Sequence, residues 1–160
     1  IVYEDEYYQL NPESDHEYDV EAFEAFTAKA KAATDTEERM RYYQKAIDLV
    51  GGQYLEDLGA IWIIPERERL HQAFLSGGLE LAELRLQAGQ LNQALHVCEQ
   101  LLKQEATSEA AYRLKMQLHR RLGDKAGLVR TYRDCEESLQ AVFGLPPSAE
   151  TQDLFRRLVT

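Results

Sequence analysis

Apolar side chains recur mostly three and four positions apart along this chain, the spacing of one face of a helix. From Asp19, a good capping residue, Val20, Phe23, Phe26 or Thr27, and Ala30 share a side, which predicts a first helix to about Ala33. Thr34 followed by Glu37 reads as a capping box, after which Met40, Tyr43, Ile47 and Val50 carry a second helix to Gly51-Gly52. Pro65, harmless in a first turn where its missing N–H has no partner to lose, opens a third helix that runs to about Ala88. Leu70, Phe74, Leu81 and Leu84 are its inward face. Gly77-Gly78 in its middle costs about 1 kcal/mol per residue against Ala, so the pair implies a close crossing by a neighbouring helix.

Gly89 ends that helix, Asn92 is expected to cap the next, and Leu95, Cys98 and Leu102 mark its buried stripe. A fifth helix after Thr107-Ser108 turns Ala111, Leu114, Leu118 and Leu122 inward and stops at Gly123. The sixth buries Leu128, Tyr132, Cys135, Leu139 and Val142 before Gly144. After Pro146-Pro147-Ser148, Leu154, Phe155 and Leu158 predict a short last helix. Residues 1–10 alternate tyrosines and aliphatics around Glu4-Asp5-Glu6 and read as a short hairpin or extended segment.

The helices repeat. Gly89 and Gly123 stand 34 residues apart, each closing one helix and opening another, and 34 is the tetratricopeptide period. In that register Leu95 meets Val129, Cys98 meets Tyr132 and Leu101 meets Cys135, while the small Ala94 faces the larger Leu128. The expected fold is therefore all-α: a tetratricopeptide-like right-handed stack of antiparallel helix hairpins, the earliest pair lying between Asp19 and Val50, behind a short N-terminal extended or hairpin segment. Such stacks offer a concave surface to another protein rather than a reaction centre.

Charge narrows the choice of partner. The net charge of the 160 residues is −10, but the first 28 hold nine carboxylates and no Lys or Arg, which leaves the rest at −1. An acidic lead-in of this kind repels a phosphate backbone, so direct nucleic-acid binding is not expected. The longest apolar stretch, Leu58 to Ile64, is far short of the ~20 residues a membrane helix needs. No basic start followed by an apolar run is visible, and the chain is expected to be cytoplasmic.

Motifs for catalysis or cofactor binding are missing. His16, His71, His96 and His119 never pair at metal-ligand spacing, and no glycine-rich loop presents amides to a phosphate. Cys98 and Cys135 read as small apolar core residues. Glu66, Glu68, Glu80 and Glu83 are answered by Arg67, Arg69 and Arg85 in ordinary helix-surface pairing. No enzyme, metal or cofactor is expected. The charged positions left as a candidate interaction surface are Glu66, Arg67 and Arg69 on the third helix, and Arg113, Arg120 and Lys125 around the turn of the last repeat.

Two segments carry a family resemblance. Tyr43 to Asp57, containing Gly51-Gly-Gln-Tyr54-Leu55, and Trp62-Ile-Ile-Pro-Glu66-Arg67-Glu-Arg69-Leu70 together resemble the bacterial transcriptional activator domain. Leu81-Ala82-Glu83, Gly89 to Ala94, Gly123-Asp124 through Tyr132, and Phe143 to Ser148 with Thr151 and Leu154 look like the remainder of that pattern, which spans about residues 19–158. The chain departs from it at Tyr7, where glycine is usual, and at Gln104-Glu105-Ala106-Thr107, which replaces an Asp-Pro.

The resemblance implies tetratricopeptide-like helix pairs that follow a winged-helix DNA-binding domain. Residues 1–18 would then be an acidic linker or the remnant of that preceding domain, with the activator domain over 19–160. It further implies a regulatory role exerted through protein contacts: with RNA polymerase, with the regulator's own DNA-binding domain, or with a second subunit in a homodimer. Trp62 would be a structural anchor between helices. The alternative is a general tetratricopeptide-like scaffold or adaptor with no transcriptional role.

Overall fold

The computed structural model describes the backbone of residues 2–4 and 7–9, and residues 19–50 and 64–160 in full. Trp62 and the Gly51 to Asp57 motif lie outside the described residues. Among those described, a two-stranded antiparallel hairpin, β1 (Val2–Glu4) and β2 (Tyr7–Gln9), precedes seven helices. The helices are α1 (Asp19–Ala32), α2 (Thr36–Asp48), α3 (Ile64–Gln87), α4 (Leu91–Gln104), α5 (Glu109–Leu122), α6 (Lys125–Phe143) and α7 (Ala149–Val159). The domain is all-α and tetratricopeptide-like. In the hairpin Val2 pairs with Gln9, Tyr3 with Tyr8 and Glu4 with Tyr7.

Each helix from α1 to α6 packs against the next in sequence, while α3 also touches α5, and α5 also touches α7. Alternate helices therefore share a layer, the arrangement that stacked hairpins produce. One core runs through α1 to α5, with Phe23, Tyr43, Ile47, Phe74, Leu81, Val97, Leu101 and Leu118 among its buried members. A smaller cluster of Tyr112, Cys135 and Leu139 joins α5 to α6.

The 34-residue spacing is visible in the hydrogen bonds. Gly89 and Gly123 sit in the left-handed region at φ 75° and 73°, a conformation that costs other residues about 1–2 kcal/mol. Gly89 N–H donates to Leu86 O at 3.2 Å and Gln90 N–H to Arg85 O at 2.8 Å; Gly123 N–H donates to Arg120 O at 3.1 Å and Asp124 N–H to His119 O at 2.9 Å. Both turns are thus the same Schellman cap. Beyond each cap Ala94 and Leu128, Val97 and Thr131, and Leu101 and Cys135 occupy equivalent buried positions.

The Gly77-Gly78 pair marks the close crossing that its sequence position implies. A Cβ on Gly78 would collide with the Leu101 side chain of α4, and one on Gly77 would stand 3.3 Å from the Tyr43 ring of α2. α3 can lie this near to both neighbours only because neither residue has a side chain.

Several local expectations are corrected. The cap of α2 is Asp35, whose carboxylate accepts from Glu38 N–H at 2.8 Å, one residue beyond the expected Thr34; a charged acceptor suits the positive end of the helix better than a hydroxyl. Asn92 lies inside α4, which starts after Gln90 without a side-chain cap. The α4 stripe is Ala94, Val97, Cys98 and Leu101, with Leu95 and Leu102 half-buried at its margins. Leu122 and Val142 are exposed, at 40% and 61%, each in the last turn of its helix.

Gly89→Ala and Gly123→Ala should each lower stability by about 1–2 kcal/mol, since nothing lies within 4 Å of either added Cβ and only the backbone conformation resists it. Asn at either position should cost less. Urea unfolding measures this; a neutral Ala at both sites would show that the caps do not set the turns.

Candidate functional site

Arg69 ties two helices together. Its guanidinium makes a bidentate bond to Glu66, at 2.9 and 2.6 Å, and reaches Glu24 of α1 at 2.5 Å. Those bonds hold the Glu66 carboxyl below its usual range and raise the arginine further. Arg67 is half-buried in the same turns of α3. Glu66 and Arg69 stand one turn apart on the same side of α3, and Arg67 lies around the helix from them; the exposed Glu66–Arg69 pair is screened by water and salt.

The other three candidates do not form a single patch. Arg113 is turned toward α7, where it donates to Thr151 Oγ1 at 3.0 Å and pairs with Glu150 at 3.4 Å. Thr151 is fully buried, and its neighbour Ser148 donates both its N–H, at 2.9 Å, and its hydroxyl, at 2.7 Å, to Glu109 of α5. Arg113 is therefore part of a polar lock that seats α7 on α5. Burial alone would raise the Glu109 carboxyl, but the hydrogen bonds from Thr151 and Ser148, with Arg113 nearby, bring it below its ordinary value. Arg120 and Lys125 are exposed on either side of the α5–α6 turn. Between them His119 Nδ1 stands 3.0 Å from Asp124 Oδ2, at ion-pair distance but without hydrogen-bond alignment, while Asp124 Oδ1 caps α6 by accepting from Gly127 N–H at 2.8 Å.

The turn at Gln104 to Thr107, where the family usually has Asp-Pro, is held by a side chain instead. Glu105 accepts from the Thr107 hydroxyl, from Thr107 N–H at 3.2 Å and lies 3.2 Å from His71 Nε2 of α3. The Thr107 hydroxyl, chiefly, holds the Glu105 carboxyl low.

Burial pushes the Cys98 and Cys135 thiols up to about 12, far from the thiolate a nucleophile needs. Among the described residues no group of three or more His, Cys, Asp or Glu is placed to hold a metal ion. A surface depression on α7 is lined by Glu150, Asp153, Arg156 and Arg157, and Arg156 pairs with Asp153 at 2.5 Å. No helix among the described residues is long and apolar enough to cross a membrane.

A model of the bacterial transcriptional activator domain matches residues 18–159. The chain belongs to that family. No curated protein matches it at a significant level. In this activator domain the matched region takes in all seven helices.

One surface group escaped the sequence reading. Phe26 of α1 and Tyr42 of α2 meet where the two helices cross, with Lys29, Arg41 and Lys45 around them. Phe26–Lys29 and Tyr42–Lys45 are legible as i,i+3 neighbours. The meeting of the two pairs depends on the register between helices, which periodicity does not carry.

The Glu105 and Glu109 carboxyls lose their protons more readily in the folded chain than in the unfolded one. Their contribution is complete above the ordinary value of 4.5 and is lost as the pH falls through the lower folded values. Glu105→Gln with Glu109→Gln should cost up to about 1 kcal/mol per site near pH 7, reduced by the water that screens these partly exposed groups, and less at a pH below the ordinary 4.5. Urea unfolding at both pH values checks this; an equal deficit at both would show that the carboxylates are not the acid-sensitive groups.

Proposed function

We propose that this chain is the regulatory, protein-interaction part of a bacterial transcription regulator. The family match over residues 18–159 is the observation that carries this reading. The architecture supports it: the stacked hairpins give broad helix faces, and the polar groups are spent on helix caps and inter-helix locks rather than gathered around a reactive centre. The acidic balance of −10 fits contact with proteins better than with a phosphate backbone. In this reading DNA is read by a separate domain, and the helical stack meets RNA polymerase, that DNA-binding domain or a second subunit in the cytoplasm. Residues 1–18 are the acidic connection to it. Arg120 and Lys125, exposed at the α5–α6 turn, and Glu66, Arg67 and Arg69 of α3 are the candidate contacts, whereas Arg113 acts from within by fixing α7.

A reporter assay tests the proposal. Fused to an unrelated DNA-binding domain, the chain should raise transcription from a promoter bearing that domain's operator and leave an operator-less promoter unchanged. A reporter that stays at background would overturn the transcriptional reading and favour a general helical scaffold.

A further inference from the structure

The α1–α2 hairpin carries a basic and aromatic cluster that none of the structural locks uses. The Phe26 and Tyr42 rings lie 6.4 Å apart and 24° from parallel. Lys29 Nζ is 5.7 Å from the centre of the Phe26 ring and 5.9 Å from that of Tyr42. Lys45 Nζ is 5.4 Å from Phe26, and the Arg41 guanidinium is 5.3 Å from Tyr42. All four contacts are within the reach of cation–π attraction, which holds the cations over the rings and costs them little hydration on their outer side.

The cations are exposed and the rings half-buried, so the rings act as a fixed base and the charges as its outer surface. On α1 the positions one turn before Phe26 and Lys29 are Ala22 and Ala25, which bring no carboxylate. On α2, Glu38 pairs with Arg41 at 3.3 Å and Asp48 with the Gln44 amide at 2.5 Å, while Glu37 stands one turn before Arg41 and eight residues before Lys45. Neither Lys29 nor Lys45 forms an ion pair among the described residues. Two ammonium groups without an ion pair thus stand 5.7 and 5.4 Å from the centre of the same Phe26 ring, in a chain whose overall charge is −10.

We propose that this face docks an acidic peptide segment of a partner protein, whose Asp or Glu carboxylates bridge Lys29, Lys45 and Arg41. An ammonium resting on a ring keeps donors free for a carboxylate, and pre-positioned cations lose less side-chain freedom on binding. A nucleic acid is a poorer occupant. The rings that would have to stack its bases are half-buried and lie beneath the cations. The inference rests on the protein-interaction reading only in placing the occupant on another protein.

Fluorescence anisotropy with the whole chain tests it, using three probes: a labelled Glu/Asp-rich peptide, the matching Gln/Asn peptide, and a single-stranded oligonucleotide of equal charge. The acidic peptide should bind, weaken with added salt, and lose about three- to thirtyfold in affinity in the Lys29→Gln, Lys45→Gln double variant. A control that removes two exposed charges elsewhere, Lys103→Gln with Arg133→Gln, should retain the native affinity. Absence of binding at low salt, equal binding of the amide peptide, tighter binding of the oligonucleotide, or an equal loss in the control would each overturn the proposal. The peptide assay involves no transcription, so an active reporter with no peptide binding discards this face alone, and peptide binding with a silent reporter discards the transcriptional reading alone.

Discussion

Where α3 passes between α2 and α4, two residues without side chains let three helices share one core. The Tyr43 ring closes over Gly77 from one side and Leu101 over Gly78 from the other. Two glycines in a helix interior sacrifice about 1 kcal/mol each of helix propensity, and full burial of Tyr43 and Leu101 offsets this with about 1.5–3 kcal/mol for each side chain. The Tyr43 hydroxyl is not left stranded: it donates to Glu80 at 2.7 Å, and Glu80 stands 3.8 Å from Arg39, which donates to Ala33 O at 2.8 Å. Burial, with Glu80 beside it, pushes the phenol up to about 12, so it stays a donor. One polar chain thus links the α1–α2 turn, α2 and α3 at the point of closest approach.

The rest of the stack is built outward from that crossing. The α3–α4 and α5–α6 hairpins turn through paired Schellman caps at Gly89 and Gly123. At the far end the packing becomes polar. Arg113, Thr151, Ser148 and Glu109 seat α7 on α5, and Tyr112 contacts the Ser138 hydroxyl of α6 at 3.1 Å. The stacking of Tyr132 on Phe155, with ring centres 4.0 Å apart, completes the α6–α7 contact. The polar side chains therefore divide by position: those between helices hold the stack together, and others, Arg120 and Lys125 among them, stay exposed on its surface.

The helices, the repeat and the close crossing were legible because each depends on residues near one another in the chain. Gly89, Gly123 and the Gly77-Gly78 pair carry their meaning in their own backbone or in the lack of a side chain. The corrections follow from competition and edges. Thr34 and Asp35 are both capping types, and the carboxylate won. Leu122 and Val142 continue a helical stripe into the last turn, where they are exposed, and periodicity within one helix does not register that. The candidate surface was less legible than the fold. Arg113, Arg120 and Lys125 look like a basic patch on a helical projection, yet the partner of Arg113 lies 38 residues onward in α7. The Phe26–Tyr42 cluster was hidden for the same reason, being made by two helices in register.

A double-mutant cycle at Gly78 and Leu101, followed by urea unfolding, tests the crossing on which the stack depends. Gly78→Ala should lose about 1–3 kcal/mol in the native background, as overpacked cores do. Once Leu101→Val has removed the terminal carbons that the new methyl would strike, the same change should cost much less, with a coupling of about 1 kcal/mol or more. Strictly additive costs would contradict the account, because they would mean that α3 and α4 do not meet at Gly78.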